Sequence, residues 1–230
     1  MGTSQVSYCK KGVDRKTLND RILLSSDVAF CYDSGNNRET IDMDYGITRE
    51  RALKLLQQHL TNNNMIKHCI ASEAVMRKLA GHFGEDVDLW GLAGLLHDLD
   101  AEATADDLTQ HTHQTVAILE EEGVCAEIID AIRMHNEAAH TEKRAQRFHH
   151  ALAAGETITG LITATALVYP DKKLASVKPK SVRKRIKEKA FAAGANRDII
   201  RECEWIGLPI ADFCDLCLSA MQEIADDLGL

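Results

Sequence analysis

Residues 89–98 read LWGLAGLLHD, eight apolar or glycine positions followed by a histidine and an aspartate. The run is far short of the roughly 20 apolar residues that span a bilayer, and it lacks the alternation of a half-buried strand. It therefore reads as a buried helix over residues 87–98, with His97 and Asp98 where that helix runs out. Neither side chain enters a core without a partner.

Outward from this stretch the pattern stays helical. In ITRERALKLLQQHL, from Ile47, residues Leu53, Leu56 and Leu60 share one face, and TNNN closes the segment. Further helical segments are expected at 65–80, 111–122, 126–138, 146–168, 181–192, 196–204 and 209–228. With three prolines and no period-2 stretch, the fold class is all-α, a bundle of about 6–9 helices. Residues 1–45 mix turn residues and both charge signs with little periodicity and read as a loose N-terminal arm. Residues 46–230 form the helical domain.

The 230 residues, 45% of them hydrophobic, are enough for one sizeable core. A polar start, MGTSQVSYCKKGVDRK, lacks the apolar heart of a signal peptide, so a cytoplasmic protein without membrane spans is expected. Seven cysteines, odd in number and scattered, read as free thiols. The lone CxxC, Cys214 to Cys217, has no second ligand pair. A net charge of −8 argues against generic nucleic-acid binding.

Helical spacing identifies which other ligand-type residues face the core. His68 shares a face with Val75, Met76 and Leu79. His135 follows Ile128 and Ile132 by seven and three positions. His111 lines up with Thr115, Ile118 and Leu119, whereas His113 lines up with Ala117 and Glu120, so His111 is preferred. Glu156 is the only ionisable side chain between Ala151 and Tyr169, in a helix apolar or small on nearly every face. Four histidines and two carboxylates converging on one core are hard to satisfy by mutual hydrogen bonding, while a divalent cation accepts imidazole and carboxylate together. His149 is seven positions from Glu156 on the same face, and exposure is the simpler expectation for it.

The order His68, His97-Asp98, His111, His135 and then an acidic helix resembles the HD superfamily of metal-dependent phosphohydrolases across about residues 48–168. HDLDAEAT, AIRMHNE and the stretch from ETITGLITATALVYPDKK onward are similar to HDIG-type bacterial predicted hydrolases. The resemblance implies an all-α fold holding one or two divalent metals, and hydrolysis of a nucleotide or another small phosphorylated compound by metal-activated water. It carries His68, His97 and Asp98 onto the first three metal ligands and His111 and His135 onto the histidines of two-metal subgroups. The closing ligand is usually an aspartate; Glu156 stands at that position, with Asp171 as the fallback. Ala101 replaces a lysine common three residues after the HD aspartate. These two departures keep a metal- or nucleotide-binding regulatory protein without turnover as the alternative, beside a di-iron oxygenase. The nitrogen and oxygen donors suit Fe, Mn, Ni, Co or Zn.

Asp98 would bridge two ions, and Asp100 and Glu102, following the dyad, are candidates for general acid or base. Between Lys172 and Lys189 the chain is strongly basic, and Lys178, Lys180, Arg183 and Lys184 are expected to cup an anionic substrate at the pocket rim. A homo-oligomer is compatible with all of this.

Overall fold

A computed structural model describes residues 45–230. The expected arm thus lies outside the described residues but for Tyr45, whose hydroxyl donates to the Asp86 carboxylate at 2.9 Å. Every regular element among the described residues is helical: α1 (Arg49–His59), α2 (Asn63–Phe83), α3 (Val87–Leu96), α4 (His113–Glu121), α5 (Ala126–His135), α6 (Arg147–Leu167), α7 (Pro179–Lys187), α8 (Arg197–Ile200), α9 (Ile210–Glu223) and α10 (Ala225–Leu228). None is long and apolar enough to cross a membrane.

The boundaries follow from local chemistry. Thr48, Asn62 and Asp86 each accept a backbone N–H from the first turn of α1, α2 and α3, and Gly84 ends α2 in the left-handed conformation at φ 71°. Pro179 opens α7, where its missing N–H costs nothing. Three expected spans are shorter or broken. The 181–192 segment ends as α7 at Lys187, the 196–204 segment is one turn of α8 followed by a 3₁₀ turn at Arg201–Glu204, and the last segment breaks at Ile224.

Helices α2, α3 and α6 are the heart of the bundle. All eight residues from Leu89 to Leu96 are buried, and α3 packs principally on α2. On its other side α2 meets α6 and α9, and α5 covers α3 and α6. The α2–α3 approach depends on Gly94: a Cβ there would lie 2.6 Å from the Ser72 carbonyl oxygen, a backbone atom that cannot swing aside. Gly94→Ala is therefore expected to push the two ligand-bearing helices apart, at about 2–3 kcal/mol. The measurement is thermal unfolding, where a Tm drop of roughly 5–10 °C is expected for a chain of this size; an unchanged Tm would mean that the pair does not pack this closely.

Candidate metal centre

Five side chains from four chain segments converge at one end of α3. His68 comes from the first half of α2, His97 and Asp98 from the end of α3, His111 from the turn before α4, and His135 from the last position of α5. Their donor atoms fall into two sets that share Asp98. In the first, His68 Nε2 and His97 Nε2 are 3.2 Å apart and lie 3.5 and 3.4 Å from Asp98 Oδ2. In the second, His111 Nε2 and His135 Nε2 are 3.1 Å apart and lie 3.1 and 3.5 Å from Asp98 Oδ1.

The far side of each ring shows why these nitrogens face one another. His97 Nδ1 is 2.9 Å from the Gly94 carbonyl oxygen and His135 Nδ1 is 2.6 Å from that of Ile132. A carbonyl only accepts, so each Nδ1 carries the proton and each Nε2 presents a lone pair. His111 Nδ1 faces Asp100 Oδ1 at 2.7 Å. His68 Nδ1 faces Thr159 Oγ1 at 2.9 Å, and that hydroxyl donates its own hydrogen to the Glu156 carbonyl, so it too accepts. The His68, His97 and His135 rings thus aim unprotonated Nε2 atoms at one carboxylate and at each other, and His111 turns its own Nε2 to the same carboxylate.

Such lone-pair contacts repel unless a positive charge lies among them. Donors bound to a single transition ion at about 2.1 Å sit roughly 3–3.5 Å from one another, which is the spacing of both sets. The donor chemistry and the anchored Nδ1 atoms fit divalent metal, with the oxygen partners fixing each ring as a ligand requires.

Protonation follows the same logic. Burial pushes His97 down to about 3 and also lowers His68, so both are neutral. Burial opposes ionisation of Asp98, but the surrounding imidazoles outweigh it and hold its pKa well below the ordinary range. His111 loses from burial too, yet its hydrogen bonds to Asp100 and Asp98 hold it up at about 10. In metal-free protein His97 takes up a proton more readily when unfolded, so its contribution to stability is present above about pH 6.5 and lost as pH falls toward 3, at about 1.4 kcal/mol per unit, and His68 acts in the same direction. His111 acts oppositely: its contribution is present below about 6.5 and lost as pH rises through 10. Glu156, raised by burial to about 8, adds a loss of stability as pH rises from about 4.5 to 8, so metal-free protein is expected to lose stability in denaturant titrations as pH rises from about 6.5 to 9. A flat profile across that range would contradict the protonation states.

Asp100 is fully buried and does not face solvent as a general base would. Its Oδ2 accepts the backbone N–H groups of Thr112, Gln114 and Thr115 at 2.9–3.1 Å, capping α4, while Oδ1 orients His111. It is a positioning residue. Thr112, between them, sits at φ 92°, a strained region for a β-branched residue. Glu102 turns away: it accepts from the Thr61 and Asn62 N–H groups and the Thr61 hydroxyl, tying the turn after α3 to the start of α2. Asp171 is exposed and accepts from Ser176, far from a ligand role.

Glu156, on α6, has its Oε2 3.7 Å from His68 Nε2 but belongs to neither donor set. Burial raises its pKa to about 8. His149 is buried rather than exposed and pairs with Asp130 of α5 at 2.9 Å, joining the two helices. His150 and Arg144 share Glu202, and Arg144 also donates to the carbonyls of Met134 and His135, closing the end of α5 behind the ligand. Sequence reasoning passed over Thr159 and Arg144, since nothing in their spacing distinguishes them from other polar helix residues.

The centre opens into a cleft of about 530 Å³ whose lining includes His68, Asp98, His111, His135 and Glu156 together with residues of the 192–199 segment. The expected basic residues do not form the rim: among the described residues that line the cleft there is no lysine or arginine. Arg183 is paired with Asp215 of α9, Lys184 lies 3.6 Å from Glu188, and Lys178 and Lys180 are exposed at the start of α7. Helix α7 uses Val182 and Ile186 to pack on α6 and α9, which turns its charged face to solvent. A second cavity of about 490 Å³, lined by Lys67 and Leu228 among others, lies on another side of His68.

A family model for the HD domain matches residues 65–186, more than half of the chain and the whole of the span that carries the five donors. The chain belongs to the HD domain family. No curated protein matches it at a significant level. Within this HD protein the matched span runs from the start of α2 to the end of α7, so the dyad for which the family is known, His97-Asp98, sits at the meeting point of both donor sets. The family supports hydrolase-type, metal-dependent chemistry for the centre.

Proposed function

We propose that this HD protein is a metal-dependent phosphohydrolase that acts on a small phosphorylated compound. The observation that carries the reading is the division of four outward-tethered imidazoles into two pairs by the two oxygens of Asp98. His68, His97 and Asp98 Oδ2 would hold one divalent ion, and Asp98 Oδ1, His111 and His135 a second. Bound there, such ions lower the pKa of water and neutralise phosphoryl oxygens.

The reaction adds the oxygen of water to phosphorus and breaks the bond to the leaving group, whose oxygen keeps the electron pair and needs a proton. Glu156 is the side chain suited to give it. It lines the cleft, its Oε1 accepts from the Thr157 hydroxyl, and burial favours its protonated form. Asp100, Thr159 and the carbonyls of Gly94 and Ile132 keep the four rings turned toward the shared Asp98 carboxylate throughout.

The test is metal content by plasma mass spectrometry on untagged protein, followed by phosphate release from phosphorylated compounds with the metal found. Two transition ions per chain and metal-dependent release support the reading. No metal at purification or on titration would defeat it. Glu156→Gln separates the two roles open to that residue: a proton donor leaves metal content intact and slows release from poor leaving groups about 10²–10⁴-fold, whereas a ligand loses metal.

A further inference from the structure

The part of the cleft wall supplied by the 192–199 segment is uncharged. Ala192, Gly194, Ala195, Asn196 and Ile199 line it, as does Leu108. The one arginine in this segment, Arg197, is buried and turned the other way. Its guanidinium donates to the carbonyls of Arg185, Glu188, Phe191, Ala192 and Ala195, so that five backbone oxygens from the end of α7 and the loop after it surround the charge. This clasp holds Ala192 at φ 44° and fixes small side chains against the cleft. Among the described residues, every ionisable group lining the cleft belongs to the centre or is Glu156, and Lys67 lines the separate cavity beyond His68.

Anionic groups outside the reach of the ions would find no lysine or arginine among the described lining residues and would meet an uncharged wall beside a carboxyl group. Building on the phosphohydrolase reading, we infer that the substrate carries a single phosphoryl group joined to an uncharged leaving group, which rests on the 192–199 wall. Hydrolysis then yields orthophosphate and a neutral alcohol or phenol, the leaving oxygen taking one proton. Di- and triphosphates and phosphorylated acids are poor substrates, since each brings a second anion to the neutral side.

The experiment uses the metal-loaded full chain with two nearly isosteric probes, 4-carbamoylphenyl phosphate and 4-carboxyphenyl phosphate, each rate corrected for its uncatalysed hydrolysis. The amide is expected to be preferred about tenfold or more in kcat/KM. A Cβ at Gly194 meets nothing within 4 Å, so a side chain is accommodated there. Gly194→Lys should shrink the preference at least about fivefold by raising the carboxylate probe's kcat/KM, while Gly194→Gln, similar in reach and neutral, should leave it unchanged. Equal or better turnover of the carboxylate by the natural chain would overturn the inference and direct attention to Lys67. So would a preference indifferent to Gly194→Lys. Failure to hydrolyse either probe would instead remove the phosphohydrolase reading and the inference with it.

Discussion

Asp98→Ala is expected to empty both halves of the centre at once, taking metal content from about two ions per chain to nearly none and hydrolysis down by at least about 10³-fold. The other ligands are not equivalent to it. His68 and His97 contribute to one donor set only, and His111 and His135 to the other, whereas Asp98 places one oxygen in each. His68→Ala and His135→Ala should therefore each cost one ion and leave the other measurable. The comparison of the three variants by metal analysis and activity is the check, with circular dichroism confirming the helical fold. Two ions retained by Asp98→Ala would mean that the carboxylate is not shared.

The second large effect concerns Asp100. Alanine there leaves the N–H groups of Thr112, Gln114 and Thr115 and the Nδ1 proton of His111 without their acceptor. Loss of a helix cap and of a charged hydrogen bond amounts to about 3–4 kcal/mol together. Affinity for the ion on the His111 side should fall about 10–100-fold. Asp100→Asn distinguishes positioning from simple support of the fold. Its remaining carbonyl oxygen can still cap α4, but its amide toward His111 favours the tautomer with the proton on Nε2, which removes the donor nitrogen. Near-normal Tm with weakened binding of one ion is the expected result; normal metal binding by both variants would leave Asp100 a cap and nothing more.

Helical periodicity and the run at 89–98 were enough to read the all-α class, because buried helices announce themselves through apolar spacing. The inward histidines followed from the same spacing, although His111 reached the right side for another reason: α4 begins at His113, and Asp100 rather than the helix aims His111. Glu102 and the basic run misled because chain proximity to a motif does not fix direction. Glu102 is held by Thr61 and Asn62, forty residues earlier, and the basic helix is turned by the burial of Val182 and Ile186. The arginine that shapes the cleft, Arg197, carries no sequence mark, since its partners are all backbone oxygens. His149 read as exposed because its partner Asp130 lies on a different helix.

The sharing of Asp98 between two donor sets also bears on the order in which the chain assembles. One set lies wholly on the α2–α3 hairpin, within residues 68–98, so a pair of neighbouring helices is enough to complete it. The other waits for the turn before α4 and for α5 to dock. If the hairpin forms first, early and late stages of folding would each finish a different half, and an ion captured by the hairpin would act as a staple at its open end before the rest of the bundle closes over it.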